Sequence, residues 1–458
     1  TLIHRNSLFR RLLHKNSDFL DTGKGSAYGV QVSGAATFDN SANGTIYLGL
    51  KGSDTSQDVK MDGGSSLSAG IYAEGSGAVT NAGNITLGSL VRNAAGMLIT
   101  GATGNVVNSG KISVTGNTSG LSNYGIQVRN SGANNNQKIE NDGQIVVTGS
   151  NNIGIQALAN SDNTKVTTSD TGSIDVTGTG GVANRNYALW VEGSGNNQAV
   201  ADISSAITLN SVGDIGVHVR NNAIANIDAK GSPVFKNGDQ IGYYLYGNGA
   251  TANIGKTIID DNGQTNTTIF RVAQGAQFLG NTQDPETGVT SDIQLTLNGE
   301  GSVGVLGTGS GTVVDTGEAS FNVAGTGASA IIIEGGAIGT IDQQTAINLS
   351  GENSTAGTVD GQAHDIKGAN LGSAVNTTLT SNATITSDAG DNSVIAYVAK
   401  NLGNLFLDTL AVVDLVSTDS IGVDIILQPL HRLTVYAVSL ALFFCEFCDF
   451  TFRKVLVK

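Results

Sequence analysis

Cysteine, proline, tryptophan and charge are all scarce in this chain. Its 458 residues include 2 cysteines, 3 prolines and 1 tryptophan, and only 14% are charged. Each scarcity excludes something. Both cysteines, Cys445 and Cys448, fall in the last 14 residues, so the body is not stapled by a disulfide framework of the kind that small secreted domains use. Their spacing suits a metal or redox pair, but no second pair accompanies them, and no metal or cofactor is expected. Little proline, and glycines without a three-residue period, exclude collagen. Disorder fits poorly, because 39% of residues are hydrophobic and mean hydropathy is +0.01. With 24 basic against 38 acidic residues the net charge is −14. No Lys/Arg stripe overrides it, so nucleic acid and anionic lipid are not expected partners. The longest apolar run, residues 433–445, has 13 residues, fewer than the ~17–25 that span a bilayer as a helix.

What the chain has instead is glycine, 63 residues of it, with 61 lying between Gly23 and Lys400. They follow a long period. A small residue followed by apolar-x-apolar recurs as Gly29-Val30-Gln31-Val32, Gly70-Ile71-Tyr72-Ala73, Gly96-Met97-Leu98-Ile99, Gly125-Ile126-Gln127-Val128, Gly154-Ile155-Gln156-Ala157 and Ala188-Leu189-Trp190-Val191. It continues at Gly216, Gly242, Thr268, Gly304, Ala330, Ala356, Val394 and Gly422. Successive anchors lie 41, 26, 29, 29, 34, 28, 26, 26, 36, 26, 26, 38 and 28 residues apart. The long spacings read as surface insertions such as the Asp284–Gly288 loop. A second strand follows an Asn-x-Gly corner, as in Asn81-Ala82-Gly83-Asn84-Ile85-Thr86-Leu87, and again at 108–114 and 141–147. Period-two alternation makes these segments strands, and the Asn-x-Gly corners are expected to supply positive backbone angles. No helical stripe occurs from 21 to 400. Short strands, tight corners and one period of about 26–29 residues predict an all-β chain, a parallel β-helix in which each repeat buries its apolar face on its neighbours.

These repeats resemble the passenger region of a bacterial autotransporter of type V secretion, in the pertactin-like, adhesin-type class. The resemblance rests on the Asn-x-Gly-x-Ile-x-Val strands at 81–87, 108–114 and 141–147, the Gly-Ile-x-Val strands, and the cysteine-free Gly/Asn/Thr/Ser-rich body. It covers residues 21–426. It implies a right-handed, single-stranded β-helix exported through the periplasm and displayed on the Gram-negative outer membrane or secreted. It also implies attachment through a C-terminal barrel and, often, adhesion or self-association. The implied partners are a host-cell or bacterial surface protein or glycan. Residues 1–20, basic and free of glycine, and the apolar tail 427–458 fall outside the repeat. The chain is read as a fragment without export signal and barrel, its tail as non-native or truncated.

Enzymatic readings are weighed by residue type. The five histidines are His4, His14, His218, His364 and His431, and no nucleophile motif accompanies them. A polysaccharide-degrading β-helix enzyme is the main alternative, and Asp260-Asp261 is its only adjacent acidic pair. A degenerate, non-functional gene product is a further one. The chain is expected to be non-enzymatic. One constellation stands out. Trp190, His218, Tyr244 and Phe270 occupy the outward position of four successive anchor strands, beside Arg220 and Arg271. They are expected to stack into a solvent-facing stripe that either supports the coils or docks a sugar or protein.

Overall fold

The computed structural model describes residues 27–49, 61–62, 67–102, 104–116, 121–129, 139–388, 393–417, 419–426 and 436–437. Residues 1–20, with His4 and His14, lie outside them. So does the tail from 427 onward, with His431, Cys445 and Cys448, apart from Tyr436–Ala437. The chain is a parallel β-helix. Its first strand in each coil belongs to one uninterrupted 14-stranded sheet that runs from Tyr28–Val32 to Ile421–Ile426. At ~4.8 Å per coil this sheet is roughly 60 Å long.

Sequence alternation dictates which way each side chain points, with one irregularity. In Ile215–Arg220 the side chains of Val217 and Val219 enter the core, while Ile215, His218 and Arg220 face out. Gly216 adds a second inward position at a bend, skipped by the register that pairs Ile215 with Ile241 and Val217 with Tyr243. The bend explains the anchor glycines. A Cβ on Gly125 would lie 2.6 Å from the Gly154 carbonyl oxygen and 2.8 Å from Ile145 Cγ2, and Gly70, Gly96 and Gly154 are confined in the same way. The third strands supply those isoleucines. Ile85, Ile112, Ile145, Ile174 and Ile207 pair in register and are fully buried.

The Asn-x-Gly corners work differently from the sequence expectation. Gly83, Gly110 and Gly143 do not have positive φ, nor do Asn81, Asn108 and Asn141. Instead Asn40, Asn81, Asn108 and Asn141 form a buried amide ladder. Each Nδ2 donates to the next Oδ1 at 2.6 Å. Glycine follows because a Cβ on Gly110 would strike the Gly83 carbonyl oxygen, and one on Gly143 the Gly110 oxygen. The motif therefore records coil-on-coil contact, not a left-handed turn.

Halfway along, the other two faces are spliced. The sheet of second strands ends at Thr251–Ile254 and a new one starts at Gln277–Leu279. That of third strands ends at Val234–Phe235 and restarts at Ile258–Asp260. Large rings fill the core there: Phe235, Tyr243, Phe270 and Phe278 are all buried, with Tyr243 and Phe270 stacked at 4.9 Å. Gly242 leaves room for them, since its Cβ would lie 2.7 Å from Phe235 Cζ. The insertions are hairpins, Asn281–Gln283 with Thr290–Asp292 and Ala363–His364 with Asn370–Leu371. One 3-10 turn, Gly181–Ala183, is the helical element of the described residues.

Two anchors shift. Register pairs Ile241 with Thr268 and Gly357 with Tyr397, so the anchor positions are Ile269 and Ala396, not Thr268 and Val394. Adjacent apolar residues, Ile269-Phe270 in one segment and Val394-Ile395-Ala396-Tyr397 in the other, blur the alternation at both anchors.

Substituting Gly125→Ala is expected to destabilise the chain by about 1–3 kcal/mol through overpacking. Asn108→Ala, which orphans the amides of two buried neighbours, is expected to lower it by a similar amount or more. Urea midpoints followed by circular dichroism check both, with Asn322→Ala on an outward position as the near-neutral control.

Candidate functional site

Outward side chains of the long sheet form three columns along the axis. In the middle column Gln127, Gln156, Trp190, His218, Tyr244 and Arg271 are consecutive register partners. Gln127 Nε2 donates to Gln156 Oε1. Trp190 and His218 stack at 4.4 Å and 7°, and His218 meets Tyr244 at 4.5 Å and 56°. The stripe is therefore real over Trp190, His218 and Tyr244, and Arg271 continues it.

Phe270 is the correction. It pairs with Tyr243, points inward and is 2% exposed. In its segment, Thr-Ile-Phe-Arg-Val-Ala, counting a fixed 26 residues from Tyr244 chose the register that would turn Arg271 inward, whereas the other keeps Arg271 out and Phe270 in. A second correction concerns exposure. His218 is 5% and Tyr244 9% exposed, so neither ring faces solvent. The flanking columns shut them in: Tyr187 lies 5.6 Å from His218 and 4.9 Å from Trp190, and Tyr246 lies 6.4 Å from His218. Burial, reinforced by nearby Arg220, drives the His218 imidazole down to about 3, so it is neutral throughout the physiological range. Neither ring nitrogen has a hydrogen-bond partner among the described residues. Burial likewise pushes the Tyr187 phenol up to about 12.

The stripe's accessible rim is polar. Glu192 accepts from Trp190 Nε1 at 3.0 Å and pairs with Arg220 Nη1 at 3.4 Å. The Arg220 guanidinium lies over Tyr246, 5.0 Å from its centroid; Arg271, expected at the solvent-facing stripe, is instead buried, its guanidinium 5.9 Å from Tyr244. Sequence reading named Arg220 and Arg271 but missed Tyr187, Glu192 and Tyr246. Positions two and three residues from the middle column were the available signal.

It also missed what covers the far end. The hairpin inserted in the 40-residue coil between Thr355 and Ile395 folds back over earlier coils as a strap. Arg271 Nη2 donates to the His364 carbonyl oxygen at 2.8 Å, and Arg185 Nη2 to that of Ile366 at 3.2 Å. Ile366 packs on the cluster of Ile215, Ile241 and Tyr244. His364 Nδ1 lies 2.7 Å from Glu334 Oε2, and its backbone N–H donates to Oε1 at 3.0 Å. His364 is thus a strap anchor at a hairpin. No sequence period reports where an insertion folds.

The paired aspartates are separated in role. Asp261 is fully buried and accepts from the backbone N–H groups of Gly263, Asn298 and Gly299 at 2.9, 3.0 and 2.9 Å. Asp260 caps Asn262 N at 2.6 Å. Asp261 therefore holds a corner, and the two do not face one groove as an acid–base pair would. Among the described residues, no group of three or more His, Cys, Asp or Glu could hold a metal ion. At the sheet's entry edge, the buried Asp214 continues a column of Asn123, Asn152 and Asn186, with Asn186 Nδ2 at 3.5 Å. Burial pushes its carboxyl up to about 6.

No family model matches the chain, and no curated protein matches it. Among solved structures it is similar to the TibC-catalyzed hyper-glycosylated TibA55-350 fragment. That likeness is 14% identity over 82% of this chain and 99% of the other, with a TM-score of 0.20. It is too slight to carry fold or function from one chain to the other.

Two outcomes follow. An unfolded aspartate titrates near ~3.9, so folded Asp214 holds its proton more tightly. Its stabilising effect is full below pH ~4 and is lost as pH rises through about 6. The melting temperature of Asp214→Asn relative to the unsubstituted chain should therefore rise from about pH 4 to about pH 7. Separately, Arg271→Ala should free the strap, accelerating tryptic cleavage after Lys367 several-fold in a gel time course while the melting temperature changes little.

Proposed function

We propose that this chain is a surface-displayed passenger fragment of the autotransporter type, a non-enzymatic adhesin or cell–cell interaction module. The observation that supports the reading best is the long sheet itself. One continuous 14-stranded face presents Trp190, Tyr187, Tyr246 and Arg220 along its axis. A rod with repeated side-chain columns suits adhesion by avidity, in which many weak contacts act together. Aromatic and arginine side chains are the ones that most often anchor such contacts. His218 and Tyr244 support the strip from beneath. Arg271 is shared between Tyr244 and the strap.

The polysaccharide-degrading alternative is disfavoured by Asp261, whose carboxylate is consumed by three backbone amides. Localisation at the cell surface or in the secreted fraction, and a host-cell or bacterial surface partner, belong to the same proposal.

Beads coated with the full chain should adhere to epithelial cells or to each other. The double substitution Trp190→Ser, Tyr246→Ser should lower adherence several-fold with the melting temperature held within a few degrees. Undiminished adherence of the doubly substituted chain would remove the strip from the proposal, and no adherence by the unsubstituted chain would remove the proposal itself.

A further inference from the structure

Arginine is the cation of the long sheet's outward positions from Tyr124–Arg129 to Thr268–Ala273, whereas Lys400 takes such a position further along, paired with Asp360. Arg129, Arg220 and Arg271 occupy outward positions of the long sheet, and Arg185 stands at its edge. Lys111 and Lys165 lie on the other two faces, and Lys230, Lys236 and Lys256 lie in their turns. From Tyr124–Arg129 to Thr268–Ala273, the outward positions carry three arginines against one carboxylate, Glu192, on a chain whose net charge is −14. Arg129 has no carboxylate partner among the described residues, and the Nε atoms of Arg129 and Arg220 are unpartnered. With Arg271 buried beneath the strap, the half-exposed outward charges from Arg129 to Tyr246 are Arg129 and Arg220 against Glu192, a locally cationic stretch lined with rings on an acidic chain.

The strap shows what this strip accepts. Where it crosses the face, its carbonyl oxygens, from His364 and Ile366, are taken by Arg271 and Arg185, and the apolar Ile366 side chain rests against the rings. Oxygens held by guanidinium groups and C–H surface held by rings are thus already paired in one stretch. Towards Arg129 the same equipment continues without an intramolecular occupant among the described residues.

We infer that the open stretch, framed by Arg129, Trp190, Glu192, Arg220 and Tyr246, is a binding site for an acidic polysaccharide, one bearing carboxylates on pyranose rings. This rests on the adhesin reading and names its ligand class. The guanidinium fork matches a carboxylate in plane. Tyr and Trp rings present the apolar faces on which pyranose C–H surfaces stack. A peptide adding itself as a strand has no purchase here, because the face offers side chains and the sheet's own N–H and C=O groups are used between coils. Glu192 orders the strip by holding Trp190 and Arg220 in place.

The test is titration calorimetry of the full chain with oligogalacturonate, neutral dextran of matched length and polyglutamate, at low and high salt. Oligogalacturonate should bind, more weakly as salt rises, and the other two should not. Arg129→Gln and Arg220→Gln should each lower affinity by about tenfold. Arg220→Lys should recover only part of it, and Lys165→Gln on another face should change nothing. Equal binding of dextran would show that charge is irrelevant, and equal binding of polyglutamate that sugar rings are. Either result, or no binding of oligogalacturonate, overturns the inference. Adherence of coated beads persisting without oligogalacturonate binding would overturn the ligand class and leave the adhesin reading standing.

Discussion

Along the paired strands each residue lies directly over its counterpart one coil away, and the rest of the structure depends on that superposition. Parallel in-register stacking brings equivalent backbones to ~4.8 Å. A residue is then acceptable only if it tolerates its own kind at that distance. Glycine on glycine allows the anchor carbonyls to approach, asparagine on asparagine completes an amide chain, and isoleucine on isoleucine fills the core. A buried amide with both partners present is stabilising, whereas one left unpaired costs about 1–3 kcal/mol. The ladders therefore hold register as well as adding stability.

The outer face obeys the same rule with different chemistry. Rings stack on rings over Trp190, His218 and Tyr244, and guanidinium groups settle on rings at Arg220 and Arg271. Enclosure by neighbouring columns keeps His218 neutral, which removes a charge that would repel Arg220. A column chosen for stacking thus leaves its rim, not its centre, as the surface open to a partner. Carbohydrate recognition and coil support are then not rival roles for the strip. The buried rings fix the geometry, and the half-exposed ones with their arginines offer contact.

Much of this was legible in the sequence because the period is written in residue size. Small anchors, except at Thr268 and Val394, alternating strands and the insertion at 284–288 appear where the spacing puts them. Legibility failed where adjacent apolar residues blurred the alternation. At Thr268–Ala273 a fixed count of 26 residues put Phe270 outside, although that register would bury Arg271; the packing of Phe270 against Tyr243 and Phe278 shows the other one. The Asn-x-Gly corners were found but misread, since a turn composition and a stacking ladder select the same two residues. The strap was invisible because its contacts join residues 93 and 181 positions apart.

The splice in the two shorter faces explains why the strip lies where it does. Phe235, Tyr243, Phe270 and Phe278 fill the core between Val234 and Leu279, where the second and third sheets break. The long sheet alone carries continuous hydrogen bonding across that region, so it is the one surface on which a column of side chains can remain aligned from end to end. The densest run of rings and arginines, from Tyr187 to Arg271, lies on that sheet and leads into the splice. A ligand spanning several coils requires rigid, aligned contacts. On the described structure, only this face meets that requirement along its whole length.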